Sequence, residues 1–255
     1  MIYKCDGIVL NNEPLIKNFI YLMKIKDAKI AECAKPGQFL EIKTGLLPLL
    51  RKPISIFAID KIEGTISILY QVKGQGTKNL SLFEIGQSID LMGPLGTGFS
   101  VEKFNKKCLL IGGGIGIAPL YDLGLKLKEA GNEVEVILGF SSKETSYAIE
   151  YFKELGSVKI TTIDGSLGIK GTVGAILENY KFDDVSKAYA CGPEPMLRYL
   201  KTLEDNVDLE LSLEAYMGCG LGACLSCVCK MNDGDYKRVC KEGPVFKAKE
   251  VSFDE

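Results

Sequence analysis

Through the first ~95 residues, apolar and polar positions alternate in short runs broken by Gly, Pro and Asn, the pattern of half-buried strands. The runs Lys4–Asn11, Ile16–Lys26, Gln38–Lys43, Ile54–Ile59, Thr65–Val72 and Ser88–Met92 predict strands, and only Thr77–Phe83 carries a helical spacing. Short strands at roughly even intervals predict a small antiparallel β-barrel.

The pattern then changes period. Lys107–Ile111 is a continuous apolar run of the kind buried on both faces, and Val134–Leu138, Val158–Ile163, Ala188–Ala190 and Leu209–Leu213 are similar. Helical spacing separates them at about Ala118–Ala130, Val173–Asn179 and Pro195–Leu203. Strands alternating with helices predict an α/β domain with a doubly wound parallel sheet. From Met217 onward the chain is rich in Cys and Gly and too short in apolar residues to build its own core, so it needs a metal staple. The expected domains are 1–98, 99–213 and 214–255.

The chain has 255 residues, a net charge of -2 and 46% hydrophobic residues. That composition is of the soluble globular kind, and the charge gives no reason to expect nucleic acid or an anionic membrane as partner. No apolar run reaches the ~18 residues of a bilayer span, and Met1–Lys4 starts on a strand-like pattern with no signal-peptide core. The expected location is the cytoplasm. Histidine is absent, which excludes His-ligated zinc, a Rieske centre and any nucleophile activated by histidine. Chemistry in this chain must lean on bound cofactors.

Nine cysteines in such a chain argue against a disulfide framework. Four of them, Cys219, Cys224, Cys227 and Cys240, follow a Cys-x4-Cys-x2-Cys spacing with one more after twelve residues, the plant-type thiolate spacing for a [2Fe–2S] cluster. Zinc is the alternative, since four thiolates also bind it, but structural zinc sites usually show two Cys-x2-Cys knuckles and only Cys224 and Cys227 form one. Cys229 would face the same side as Cys227 on a strand, as a small buried side chain or a substitute ligand.

Gly112, Gly113, Gly114 and Gly116 lie between a buried strand and a helix that opens with Pro119. Glycines there let a backbone approach a pyrophosphate at a helix N-terminus, where the missing proline N–H costs nothing. A tight turn without a ligand is the plainer alternative. Cys191, Gly192, Pro193 and Met196 follow a later strand of the same sheet, at the carboxyl edge where ligands of open sheets lie. In the barrel, Arg51, Lys52, Pro53, Ile54 and Ser55 open a strand, Leu69, Tyr70 and Gln71 close another, and Gly76 and Thr77 open the short helix. Together these offer cations, a hydroxyl and an aromatic ring to a flavin; a solvated charge pair beside an ordinary turn is the alternative.

A strand-rich domain followed by Gly-Gly-Gly-x-Gly-x-x-Pro and Cys-Gly-Pro-x-x-Met resembles the ferredoxin–NADP reductase superfamily. With the C-terminal cysteine group, the whole length resembles the electron-transfer subunits of two-subunit, NAD-dependent dihydroorotate dehydrogenases. The stretch Ser212-Leu213-Glu214 to Met217-Gly218-Cys219-Gly220 is the most specific part. The resemblance implies FAD held between barrel and dinucleotide domain by Lys52–Ser55, Leu69–Gln71, Gly76 and Thr77. It implies NAD(H) at Gly112–Pro119, Asp164-Gly165-Ser166 and Cys191–Met196, with the cluster passing electrons to an FMN in a separate (β/α)8 catalytic subunit. Two copies of each subunit would form a heterotetramer acting in pyrimidine biosynthesis. Lys52 and Gln71 stand where that family usually has arginine, with Arg51 adjacent as a replacement, and Tyr216 stands where arginine is common.

NAD(P)H yields two electrons as a hydride, whereas a [2Fe–2S] cluster takes one at a time, so a flavin must bridge them. With no substrate pocket of its own, the chain reads as a conduit that docks through its cluster-bearing end. The alternatives are the flavin and iron–sulfur subunit of an NADPH-dependent ferredoxin or sulfur/sulfite reductase, and a metal-stabilised binding module without turnover. Gly139-Phe140-Ser141-Ser142-Lys143 offers a single cation at the second strand's end, which leans to NADH over NADPH.

Overall fold

Strand alternation in the first third is realised as a closed barrel in the computed structural model, which describes residues 1–254. Its strands are β1 (Tyr3–Ile16), β2 (Ile20–Lys26), β3 (Phe39–Ile42), β4 (Lys52–Asp60), β5 (Thr65–Gln71) and β6 (Ser88–Leu95), closing in the order β1-β2-β5-β4-β3-β6. Every pairing is antiparallel. Two six-residue helices interrupt it, α1 (Ala28–Cys33) and α2 (Gln75–Leu80). The sequence gives no period for α1 because it is under two turns long; Asp27 nevertheless caps it, accepting the Ile30 N–H at 2.9 Å. What reads as one run from Ile16 to Lys26 is a hairpin turned at Asn18, whose φ of 60° suits asparagine.

The second unit is the expected wound sheet. Its elements are β7 (Lys107–Gly113), α3 (Ala118–Glu129), β8 (Val134–Phe140), α4 (Ile149–Lys153), β9 (Ser157–Thr162), β10 (Ile169–Lys170), α5 (Gly174–Leu177), β11 (Val185–Cys191), α6 (Glu194–Lys201) and β12 (Asp208–Ser212). The order is β10-β9-β8-β7-β11-β12, all parallel, with one apolar core on each face. The order reverses between β7 and β11, so the crevice for a ligand opens where Gly113 and Cys191 end neighbouring strands.

The cysteine-rich end forms the hairpin β13 (Val228–Lys230) and β14 (Tyr236–Arg238), then β15 (Val245–Lys247), which adds antiparallel to β12 as a seventh strand of the wound sheet. It has no core of its own. Cys227, Val239, Cys240 and Phe246 share one apolar cluster with Phe39 and Leu95 of the barrel and Leu109 and Leu211 of the sheet. Burial therefore locks this end against both other units.

Barrel and sheet also meet through Phe57 and Tyr121, stacked with centroids 4.7 Å apart, and through fully buried Asp122, which accepts the Ile59 N–H at 3.0 Å. Burial pushes the Asp122 carboxyl up to about 6, against the pull of the Ile59 N–H and Lys126. An acid whose folded value lies above its unfolded value of 3.8 binds more protons when folded, so stability falls as pH rises between the two. From pH 5 to 7.5 the native chain should lose about 1 kcal/mol relative to Asp122→Asn, read from urea midpoints. A constant difference would refute the burial of a charge there.

Candidate functional site

One cleft is bounded by all three units. The barrel contributes Pro53, Ile54 and Ser55 from β4 and Leu69, Tyr70 and Gln71 from β5, with Lys73 and Thr77 beside them. The sheet contributes Ile115, Ala118, Pro119 and Cys191, and the link to the cysteine-rich end contributes Ser212 to Ala215 and Met217. Backbone and apolar walls with a few convergent polar groups are what a flavin-sized ligand needs.

The expected cations sort themselves unequally. Arg51 does not join this cleft: its Nη2 donates to both Asp90 carboxylate oxygens at 2.7 and 2.8 Å, and its Nη1 donates to the Glu41 and Asp90 carbonyls. Lys52 lies over Gly76, where a Cβ would meet its Cε at 2.6 Å. Lys73 lines the cleft instead, two residues beyond Gln71. That position follows the end of β5, where strand phase no longer predicts direction. Thr77 closes the turn, accepting the Lys73 N–H at 2.9 Å.

Glu214, which the spacing alone does not single out, reaches the same cleft. It keeps contact with water, yet the protein packed around it raises its carboxyl above the ordinary range, with Lys73 pulling the other way. Cys191 opposite is buried, and burial raises its thiol strongly, with the Glu214 charge adding to the effect. The thiol therefore stays neutral and presents a small apolar surface.

On the sheet side, Gly113, Gly114, Pro193 and Met196 line a second, adjoining cleft with Phe140, Ser141 and Thr161. Gly112 closes behind it against Ile117. Gly116 is required by space: a Cβ would lie 2.5 Å from the backbone of Cys191 and Gly192. The fully buried Thr161 has no partner for its Oγ1 among the described residues, leaving it available to a ligand in this cleft. Asp164 follows Ile163, which lines this cleft, and accepts the Ser166 N–H at 3.0 Å and hydroxyl at 2.6 Å, while Ser166 accepts the Lys143 N–H.

The four spaced thiols gather in one loop region but do not converge on a point where a single metal ion could sit, and no three His, Cys, Asp or Glu among the described residues do. Cys227 and Cys240 are buried side by side, the Cys240 N–H reaching Cys227 Sγ, while Cys219 and Cys224 lie nearer the surface. Thiols spread over such a loop, with one Cys-x2-Cys knuckle, suit a two-iron centre better than one tetrahedral zinc. The Leu221 and Ala223 N–H groups donate to Cys219 Sγ at 3.4 and 3.3 Å, and the Cys240 N–H to Cys227 Sγ at 3.5 Å. Ser226 accepts the Gly218 N–H at 3.1 Å, so its own hydroxyl proton is free to turn to Cys224 Sγ, also 3.1 Å away. Through Ser226 the Cys224 thiol is brought down to about 6. Donors aimed at sulfur stabilise thiolates, the form that binds iron. Cys229 points elsewhere, donating to the Lys237 carbonyl at 3.4 Å.

Glu41 was not singled out by sequence reasoning either. It is 1% exposed, neither carboxylate oxygen has a hydrogen-bond partner among the described residues, and burial pushes it up to about 7. Gly220, with φ of 66°, brings the cysteine loop onto it; a Cβ there would lie 2.7 Å from Glu41 Cγ.

Residues 214–252 match the model of the iron-sulfur cluster binding domain of dihydroorotate dehydrogenase B. A Bacillus cereus (strain G9842) protein named dihydroorotate dehydrogenase B (NAD(+)), electron transfer subunit, is 42% identical over 260 residues, spanning 98% of this chain and 99% of the relative. Among solved structures, an NADH-dependent reduced ferredoxin–NADP oxidoreductase superposes with a TM-score of 0.87 at 29% identity, over 97% of this chain and 90% of that one. The ferredoxin reductase of carbazole 1,9a-dioxygenase shares the fold, with a TM-score of 0.67 at 18% identity over 82% and 69% of the two chains.

Proposed function

Since the chain belongs to the family of dihydroorotate dehydrogenase B electron-transfer subunits, we propose that it carries electrons between NAD(H) and a catalytic subunit that oxidises dihydroorotate. The chain is a flavin and iron–sulfur oxidoreductase subunit. The observation that carries the proposal is the single cleft touched by all three units, since Cys191, Tyr70 and Met217 line it together and Met217 lies two residues from Cys219.

In this reading FAD occupies the cleft between Pro53–Ser55, Leu69–Gln71 and Glu214, with Lys73 and Lys52 toward its phosphates. NAD(H) lies along Gly113, Gly114, Pro193 and Met196, with Asp164 and Ser166 near its ribose. Cys219, Cys224, Cys227 and Cys240 hold the [2Fe–2S] cluster. Bound flavin supplies exchange between two-electron and one-electron transfer. The chain's residues position and shield: Gly116 lets the end of β11 approach the glycine turn, and the neutral Cys191 thiol with Pro119 excludes water from the cleft. N–H groups at the sulfurs favour added negative charge on the cluster. Among the described residues, no helix is long and apolar enough to cross a membrane.

The partner is the catalytic subunit implied by the family, here taken as an FMN-bearing (β/α)8 protein in a two-plus-two assembly. Producing the chain together with that subunit should give a complex that reduces NAD+ with dihydroorotate. The 29%-identical solved relative makes ferredoxin the competing electron partner. Reduction of ferredoxin by NADH without association with the catalytic subunit would overturn the proposal.

A further inference from the structure

We propose that the turn joining β3 to β4 is an anchor for the catalytic subunit, with Leu46, Leu47, Leu49 and Leu50 entering an apolar pocket with an acidic rim beside the cluster. The inference rests on the family reading above and adds to it where the partner is gripped.

These four leucines are 88, 67, 84 and 55% exposed. Leucine scattered singly on a surface is ordinary, but four within five residues make a patch of the kind found at interfaces. The turn is also held. Asn79 donates to the Leu47 carbonyl at 2.8 Å, and Arg51, next in sequence, is clamped by Asp90. A preordered apolar turn loses little conformational entropy on docking.

The position of the turn selects the partner. Leu40 and Ile42 point into the barrel core, so Glu41 between them faces outward, where Gly220 of the cysteine loop rests on it. Arg51 Nη1 donates to the Glu41 carbonyl at 3.3 Å, tying the leucine turn to the same strand. The cysteine loop adds its own exposed apolar residues, Leu221 and Leu225. Two apolar loops thus flank β3. An electron acceptor must cover the cysteine loop to approach the cluster, and covering it brings the acceptor beside the leucine turn.

Charge narrows the choice further. Residues 43–50 contain Lys43 and no acidic residue, and Lys43 and Lys78, the latter nearby on α2, are both exposed. A second copy of this chain would set like charges against each other, whereas an acidic rim on the catalytic subunit would be complementary.

The test uses the cofactor-loaded chain and the co-produced catalytic subunit. Leu46→Ser with Leu49→Ser should weaken association at least about thirty-fold by analytical ultracentrifugation. Dye reduction by NADH and the cluster's electron paramagnetic resonance signal should not change. Backbone amides of residues 45–50 should gain protection from hydrogen exchange only in the complex. Unchanged affinity of the double variant, or concentration-dependent protection of the turn in the chain alone, would overturn the anchor. If the native chain fails to bind the catalytic subunit at all, the family-level partner reading falls first, a result distinct from a native complex indifferent to the leucines.

Discussion

Cys224→Ser should remove the [2Fe–2S] signal and cut electron delivery to the catalytic subunit by more than about 100-fold, while NADH still reduces the flavin. The size follows because loss of even an outer partner of a metal ligand typically costs 10- to 100-fold, and a ligand is worth more. Cys224 is the cleanest of the four to replace. It is exposed, so serine leaves no cavity and buries no hydroxyl. Cys227 and Cys240 lie in the core shared by all three units, where the same exchange would strand a polar group and loosen the docking of this end. The cleft proposed for FAD is bounded mainly by the barrel, the sheet and residues before Gly218, so its occupancy should survive the change. Two measurements decide the matter: iron content with the resonance spectrum, and stopped-flow bleaching of flavin by NADH. Loss of flavin reduction along with the cluster would mean that the order of carriers is wrong.

Gly116→Ala should slow that flavin reduction about 100-fold and lower stability by about 1–3 kcal/mol. The added methyl would lie 2.5 Å from the carbonyl carbon and oxygen of Cys191 and from the α-carbon of Gly192. Those are backbone atoms at the end of β11, so relief requires moving the strand end whose Cys191 lines the first cleft and which leads directly into Pro193 of the second. Gly124→Ala is the control. Its methyl would meet only the side-chain ends of Leu155 and Leu110, away from both clefts. Thermal midpoints report the packing cost, and the reduction rate at saturating NADH reports the misplacement. If Gly124→Ala slows flavin reduction as much as Gly116→Ala, Gly116 is not the contact that sets the distance between the clefts.

Several features of the site were legible because their signals are local. The cysteine spacing lies within twenty-two residues and survives any uncertainty about the fold. The glycine turn is bounded by a buried strand and a helix, both read from periodicity, and the structure puts it at the reversal of strand order. The short elements α1 and α4 were not legible, since five or six residues do not complete two helical turns. Nor was β15, which is three residues long and exists by pairing with β12.

By itself, then, the chain's pattern determined the barrel, the wound sheet, the thiol spacing and the need for a carrier between hydride and single electrons. Each depends on residues near one another in sequence, where period, turn chemistry and ligand spacing act directly. Tertiary structure alone decided which cation reaches the cleft between barrel and sheet, Lys73 rather than Arg51, because Asp90 claims the arginine from another strand. It also decided that Cys229 turns toward Lys237, that Glu41 is buried against Gly220, and that an exposed leucine turn lies at the edge carrying the cysteine loop. The pairs Arg51–Asp90 and Glu41–Gly220 are about 40 and 180 residues apart in the chain. No local pattern encodes them; they arise when barrel closure and a shared core bring separate segments to one place.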